Sequence, residues 1–138
     1  MNPLALEQDL QAALEAYAFP DGNIYCGTDA TLIASQQTAI IINVGAVEYP
    51  APSIYRATVN FQVVAPALMG GSVDADSYAA MQSSIDTLLS SITNDYMTAY
   101  WPSASPLRFK GLWHANTQKQ EHVNDWHSEL SFVFGLSI

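Results

Sequence analysis

Apolar and polar residues alternate strictly from Tyr55 to Val64, and after a loop they recur at helical spacing from Tyr78 to Ile92. In the first segment Tyr55, Ala57, Val59, Phe61 and Val63 point one way and Arg56, Thr58, Asn60 and Gln62 the other, the two-residue period of a half-buried antiparallel strand. In the second, Tyr78, Met81, Ile85, Leu88, Leu89 and Ile92 form one stripe, with Gln82, Ser83, Asp86 and Ser90 on other faces. Together they predict an open sheet with a helix laid on it.

The flanking segments extend this pattern. Asn2 suits an N-cap and Pro3 a first helical turn, and Leu6, Leu10, Ala13, Leu14 and Tyr17 line one face, so a helix is predicted from Pro3 to Ala18. Glu7 and Asp9 lie near its positive end. Phe19-Pro20-Asp21-Gly22 stops it. Asn23 to Gln37 reads either as one or two short strands around Gly27-Thr28-Asp29 or as an ordered loop. Ala39 to Val47, with Ile40, Ile41, Ile42 and Val44, reads as a strand buried on both faces. Pro50-Ala51-Pro52 separates it from the strand Ile54 to Val64, and the two are expected to pair antiparallel.

Beyond Pro66 a connector carries Leu68 and Met69 next to Gly70-Gly71, two apolar residues at a loop tip that either pack back or reach a neighbour. Asp74 or Asp76 is the expected cap of the second helix. An aromatic stretch, Tyr96, Tyr100 and Trp101, ends at Pro102. From Leu107 to His114, Leu107, Phe109, Gly111 and Trp113 alternate with Arg108, Lys110, Leu112 and His114, and Ala115 to Asp125 reads as a polar loop or hairpin tip. In the last strand Trp126, Ser128, Leu130, Phe132, Phe134, Leu136 and Ile138 share a face, so this terminus should be tied into the sheet. The expectation is a single α+β domain over residues 1–138. It comprises an antiparallel sheet of about four to five strands with two helices packed on it, in the order α-β-β-α-β-β.

Composition moves the reading from architecture towards assembly. Charged residues are 12% of the chain against 49% apolar, so much of the surface must be uncharged, which suits a subunit in contact with neighbours; a monomer with a neutral polar surface is the plainer alternative. The net charge is −9, with ten acids against Arg56 alone up to residue 97. Such a chain cannot grip phosphates by counterion release, yet it can border a DNA path without sticking to it. Cys26 is the sole cysteine, which excludes an internal disulfide, and the sequence reads as a soluble protein with neither a membrane span nor an export signal.

Candidate chemistry is sparse. His114, His122 and His127 lie near Glu121, Asp125 and Glu129, but no cysteine joins them and His122 falls in the predicted loop, so no metal site is implied. The serines are not in a glycine-flanked elbow, Cys26 has no evident base, and Asp74 and Asp76 would repel a phosphate at the helix after Gly70-Gly71. The expectation is a non-enzyme without catalytic residues, cofactor or metal. Among the aromatics, Tyr49 beside Pro50 and Trp101 beside Pro102 are the candidate interface anchors, together with Leu68 and Met69.

The order of these elements, with Tyr55-Arg56-Ala57-Thr58-Val59-Asn60-Phe61-Gln62-Val63, Gly111-Leu112-Trp113 and Leu130-Ser131-Phe132-Val133-Phe134, resembles the tail terminator and neck (head-tail joining) proteins of tailed bacteriophages. The resemblance implies a structural virion protein assembled in the host cytoplasm. It also implies a homo-oligomeric ring, usually a hexamer, at the head-proximal end of the tail tube, with the tail tube protein and head-connector proteins as partners. DNA would pass through without specific binding, with Asp74 and Asp76 as candidate acids along its path. A cystatin-like or nuclear-transport-factor-like ligand-binding domain, which requires a deep apolar pocket, is the alternative, and a small enzyme on such a fold would use His127, Glu129 or Asp125 near that pocket.

Overall fold

A computed structural model describes residues 2–20, 23–27, 38–66, 75–121 and 125–138, and the side chains of all of these except 65–66, 75–78, 114–121 and 125–128. The described residues form helices α1 (Pro3–Glu15), α2 (Ala75–Ser91) and α3 (Asn94–Tyr100) and strands β1 (Ile24–Cys26), β2 (Ala39–Ala51), β3 (Ile54–Pro66), β4 (Arg108–Glu121) and β5 (Asp125–Ser137). The five strands make one sheet in the order β1-β2-β3-β5-β4. The fold is α+β, as expected. A third helix is present, and the sheet is mixed because β1 runs parallel to β2; every other pairing is antiparallel.

Local chemistry explains most of these bounds. The Leu4 N–H donates to Asn2 Oδ1 at 3.0 Å, the cap expected of Asn2. The regular helix ends at Glu15 rather than Ala18, and Tyr17 lies off the buried stripe, 70% exposed and stacked on Tyr100. The aromatic stretch becomes α3 because Thr93 caps it: the Tyr96 N–H donates to Thr93 Oγ1 at 3.2 Å, and Asp95 sits in the first turn. Tyr96 and Tyr100 are then four residues apart on one face, with ring centroids 4.6 Å apart.

β2 and β3 join through Pro52 and Ser53, the latter at φ 63°, and Ile138 N–H reaches back to Ser53 O at 3.1 Å. The last strand is thereby tied into the sheet. β2 is not buried on both faces as its isoleucine run suggests. Ile40 and Ile42 are buried and Ile41 is half-buried, whereas Asn43 and the end of the strand are exposed. Residues 115–121 are strand rather than loop, paired with β5 from Ala115 opposite Phe132 to Glu121 opposite Trp126.

All three helices pack on one face of the sheet. Leu6, Leu10 and Leu14 of α1, Met81, Ile85 and Leu88 of α2 and Met97 of α3 meet Val59, Phe61, Leu130, Phe134 and Leu136 in a common core. Phe61 is fully buried and edge-on to Phe132, so truncating it to Ala would cost about 3–5 kcal/mol. Leu89, counted in the apolar stripe, is instead 43% exposed.

Candidate assembly surfaces

The face of the sheet away from the described helices carries Ile41, Thr58, Asn60, Gln62, Ser131 and Val133, six uncharged residues that cross-strand register places side by side. Ser131 Oγ donates to Asn60 Oδ1 across β3 and β5. Glu129 lies opposite Gln62 at the margin. Arg56 and Glu129 flank these six residues on the same face; the patch between is mostly hydrogen-bonding and uncharged, which limits the desolvation cost of covering it.

Two bulges in β4 decide what stands at one end of this face. The register against β5 slips between Phe109 and Gly111 and again between Leu112 and Ala115. Leu112 therefore joins Phe109 against the core, while Trp113 swings to the open side, 60% exposed. This reverses the strict alternation that grouped Trp113 with Leu107 and Phe109. The indole lies over Gly135, where a Cβ would come within 2.2 Å of the ring. Arg56 stands 5.1 Å from the ring centroid, and Glu48 lies 3.7 Å from Arg56. Trp113 is an exposed aromatic that sequence reasoning placed on the core side. The available signals were Gly111 and Gly135, since glycine inside a strand marks a bulge or a close approach.

The other sequence candidates are distributed differently. Tyr49 is 60% exposed and edge-on to Tyr55 at 5.1 Å. Trp101 is half-buried, its indole N–H donating to Leu107 O at 3.0 Å and its ring 5.8 Å from Phe109. Leu68, Met69 and Asp74 lie outside the described residues, as does the Asp76 side chain on α2, and with them the expected helix cap. Most of the Asn23 to Gln37 segment also lies outside, apart from β1.

Groups with chemical potential are used structurally where they are described. Glu7 is buried on α1, and its carboxylate accepts Gly27 N–H at 2.9 Å and Val44 N–H at 3.4 Å, fastening β1 and β2 to the helix. Beside it, Gln11 Nε2 donates to Ile24 O at 2.8 Å and Cys26 Sγ–H to Gln11 Oε1 at 3.5 Å. Asp9 accepts Ser105 Oγ–H at 2.5 Å; burial pushes its carboxyl up from the ordinary value, and the serine bond partly offsets this. The histidine group lies outside the described residues, with the side chains of His114, Glu121, Asp125 and His127 and the whole of His122. Among the described residues no three His, Cys, Asp or Glu side chains stand close enough to hold a metal. None of the described helices is long and apolar enough to cross a membrane.

Two surface clefts are lined by described residues. One, of about 610 Å³, runs along Ala79, Gln82, Ser83, Asp86, Thr87 and Ser90 of α2. The other, of about 370 Å³, lies between the end of α3 and the start of β4, with Thr98, Trp101, Ser103, Arg108, Phe109 and Lys110 in its walls.

No protein-family model matches the sequence, and no curated protein matches it. The fold is similar to that of a chain in a solved structure titled "Virion of native gene transfer agent (GTA) particle". The TM-score is 0.51 at 14% identity, and the likeness covers 99% of this chain and 92% of that one. At this identity it establishes shared architecture.

Proposed function

We propose that this chain is a structural subunit of a tailed-phage-type virion that assembles into a homo-oligomeric ring at the tail terminator or neck position, joining the tail tube to the head connector. The observation that carries the reading is the likeness in fold, over nearly the full length of both chains, to a chain from a phage-like gene transfer agent virion. The surface is consistent with such a role. An uncharged patch on the sheet face and the exposed Trp113 and Tyr49 suit contacts between subunits, where aromatic anchors concentrate. Trp101, Leu68 and Met69 are the further contact candidates.

In this reading the excess of acid keeps passing DNA from adhering to the ring wall, with Asp74 and Asp76 as candidate lumen residues. The protein acts by shape and needs no cofactor. The test is the mass of the purified protein by light scattering, with negative-stain images of the same sample. Rings of about six subunits are expected from the phage resemblance. A monodisperse monomer at every concentration, stabilised by a small molecule, would overturn the reading in favour of a ligand-binding domain.

A further inference from the structure

The cleft between α3 and β4 differs in charge from the rest of the molecule. Arg108 and Lys110 are two of only four Lys and Arg residues in a chain with 13 acids, and both line this one hollow of about 370 Å³. Arg56 is already engaged by Glu48 and Trp113. Arg108 is not paired in that way: its Nη1 donates to Ser105 O at 2.7 Å, which fixes the guanidinium and leaves its other donors available. Among the described residues, neither Arg108 nor Lys110 has a carboxylate at ion-pair distance.

Two aromatic side chains line the cleft: the Trp101 indole N–H donates to Leu107 O and its ring tilts against Phe109. Thr98 and Ser103 add exposed hydroxyls at the rim. Since β4 is an edge strand, nothing in the sheet covers its outer flank at Arg108 to Lys110. A held guanidinium and a neighbouring ammonium, lining one cleft with aromatic and hydroxyl side chains, form a receptor for a carboxylate on a short, partly apolar segment.

We propose that this cleft receives an acidic segment of a second copy of the chain, making a head-to-tail contact. This rests on the ring reading and names the surface through which the ring closes. Charge complementarity favours a second copy: each molecule offers one cationic hollow and, apart from it, carries 13 acids against two bases. A contact between two different surfaces repeats around a ring, whereas contact between like surfaces stops at a dimer. A polyphosphate is a poor occupant, since two cations on a chain of net charge −9 neutralise too few phosphates to overcome the overall repulsion.

The experiment uses the full chain, mixed as equal parts of unlabelled and nitrogen-15-labelled protein and treated with a carbodiimide that joins amines to carboxylates in direct contact. Mass spectrometry is expected to find Lys110 bonded to an Asp or Glu in peptide pairs of mixed label. The R108A/K110A variant, with an unchanged circular dichroism spectrum, should need at least tenfold more protein to reach the wild-type mass. K110E alone should act in the same direction and keeps the Arg108 anchor intact. Wild-type rings accompanied by variant rings of equal stability, or Lys110 links confined to single molecules, would overturn the contact and leave the ring reading standing. A wild-type chain that stays monomeric at every concentration and is stabilised by a small molecule would overturn both.

Discussion

Glu7 occupies a helix face otherwise made of Leu6, Leu10 and Leu14, and it is tolerated there because its two oxygens receive backbone N–H groups that would otherwise lack partners. Removing the carboxylate strands those donors, so Glu7→Ala should lower the unfolding free energy by about 1–3 kcal/mol in urea titrations, and Glu7→Gln, which keeps one acceptor, by less. Asp9 behaves oppositely. Its carboxyl is raised above the ordinary 3.8, chiefly by burial, with Ser105 pulling the other way. A raised acid contributes stability that is complete below its unfolded value and is lost as pH rises through the folded one. Asp9→Asn should therefore melt at a higher temperature than the parent at neutral pH, and the difference should close as the pH is taken below 3.8. Reading these residues as helix-dipole partners was reasonable from spacing alone. The role of Glu7 was not legible, because its partners lie 20 and 37 positions away in the chain.

Among the elements, α1, α2, β3 and β5 are legible from their periodicity and β1 is one of the alternatives the sequence leaves open, whereas α3, the exposed end of β2 and the bulges of β4 are not legible. The alternation of β3 and β5 survives in the structure because one face of each is buried along most of its length, which leaves a single workable register. α3 spans only seven residues and holds its place through tertiary bonds: the Tyr96 hydroxyl donates to Ala13 O at 2.8 Å and accepts Ala18 N–H at 3.1 Å, tying it to the end of α1. Tyr96→Phe should cost about 0.5–1.5 kcal/mol by denaturant titration. In β4, two bulges defeat a period-two reading and turn Trp113 outward. Gly135→Ala should push the indole off Arg56. The Trp113 indole N–H resonance is then expected to shift while that of Trp101 stays, with a loss below about 1 kcal/mol because the displaced ring is exposed.

At the scale of the molecule, the sheet is closed by its last strand. β5 lies between β3 and β4 and contributes Leu130, Phe132, Phe134 and Leu136 to the core. A chain lacking residues 129–138 should melt without a cooperative transition by circular dichroism. Pattern alone could not supply the strand order, because hydrophobic alternation shows which face of a strand is buried and not which strands are neighbours. The interior place of β5 also sets a schedule. β3 is complete at Pro66, yet the strand that covers its second edge begins only at Asp125. At a synthesis rate of about 5–20 residues per second, those roughly 60 residues take about 3–12 s. Throughout that interval a row of backbone donors and acceptors on β3 is open to any passing strand, so the half-made chain, more than the finished one, is the form that must be kept from its own kind.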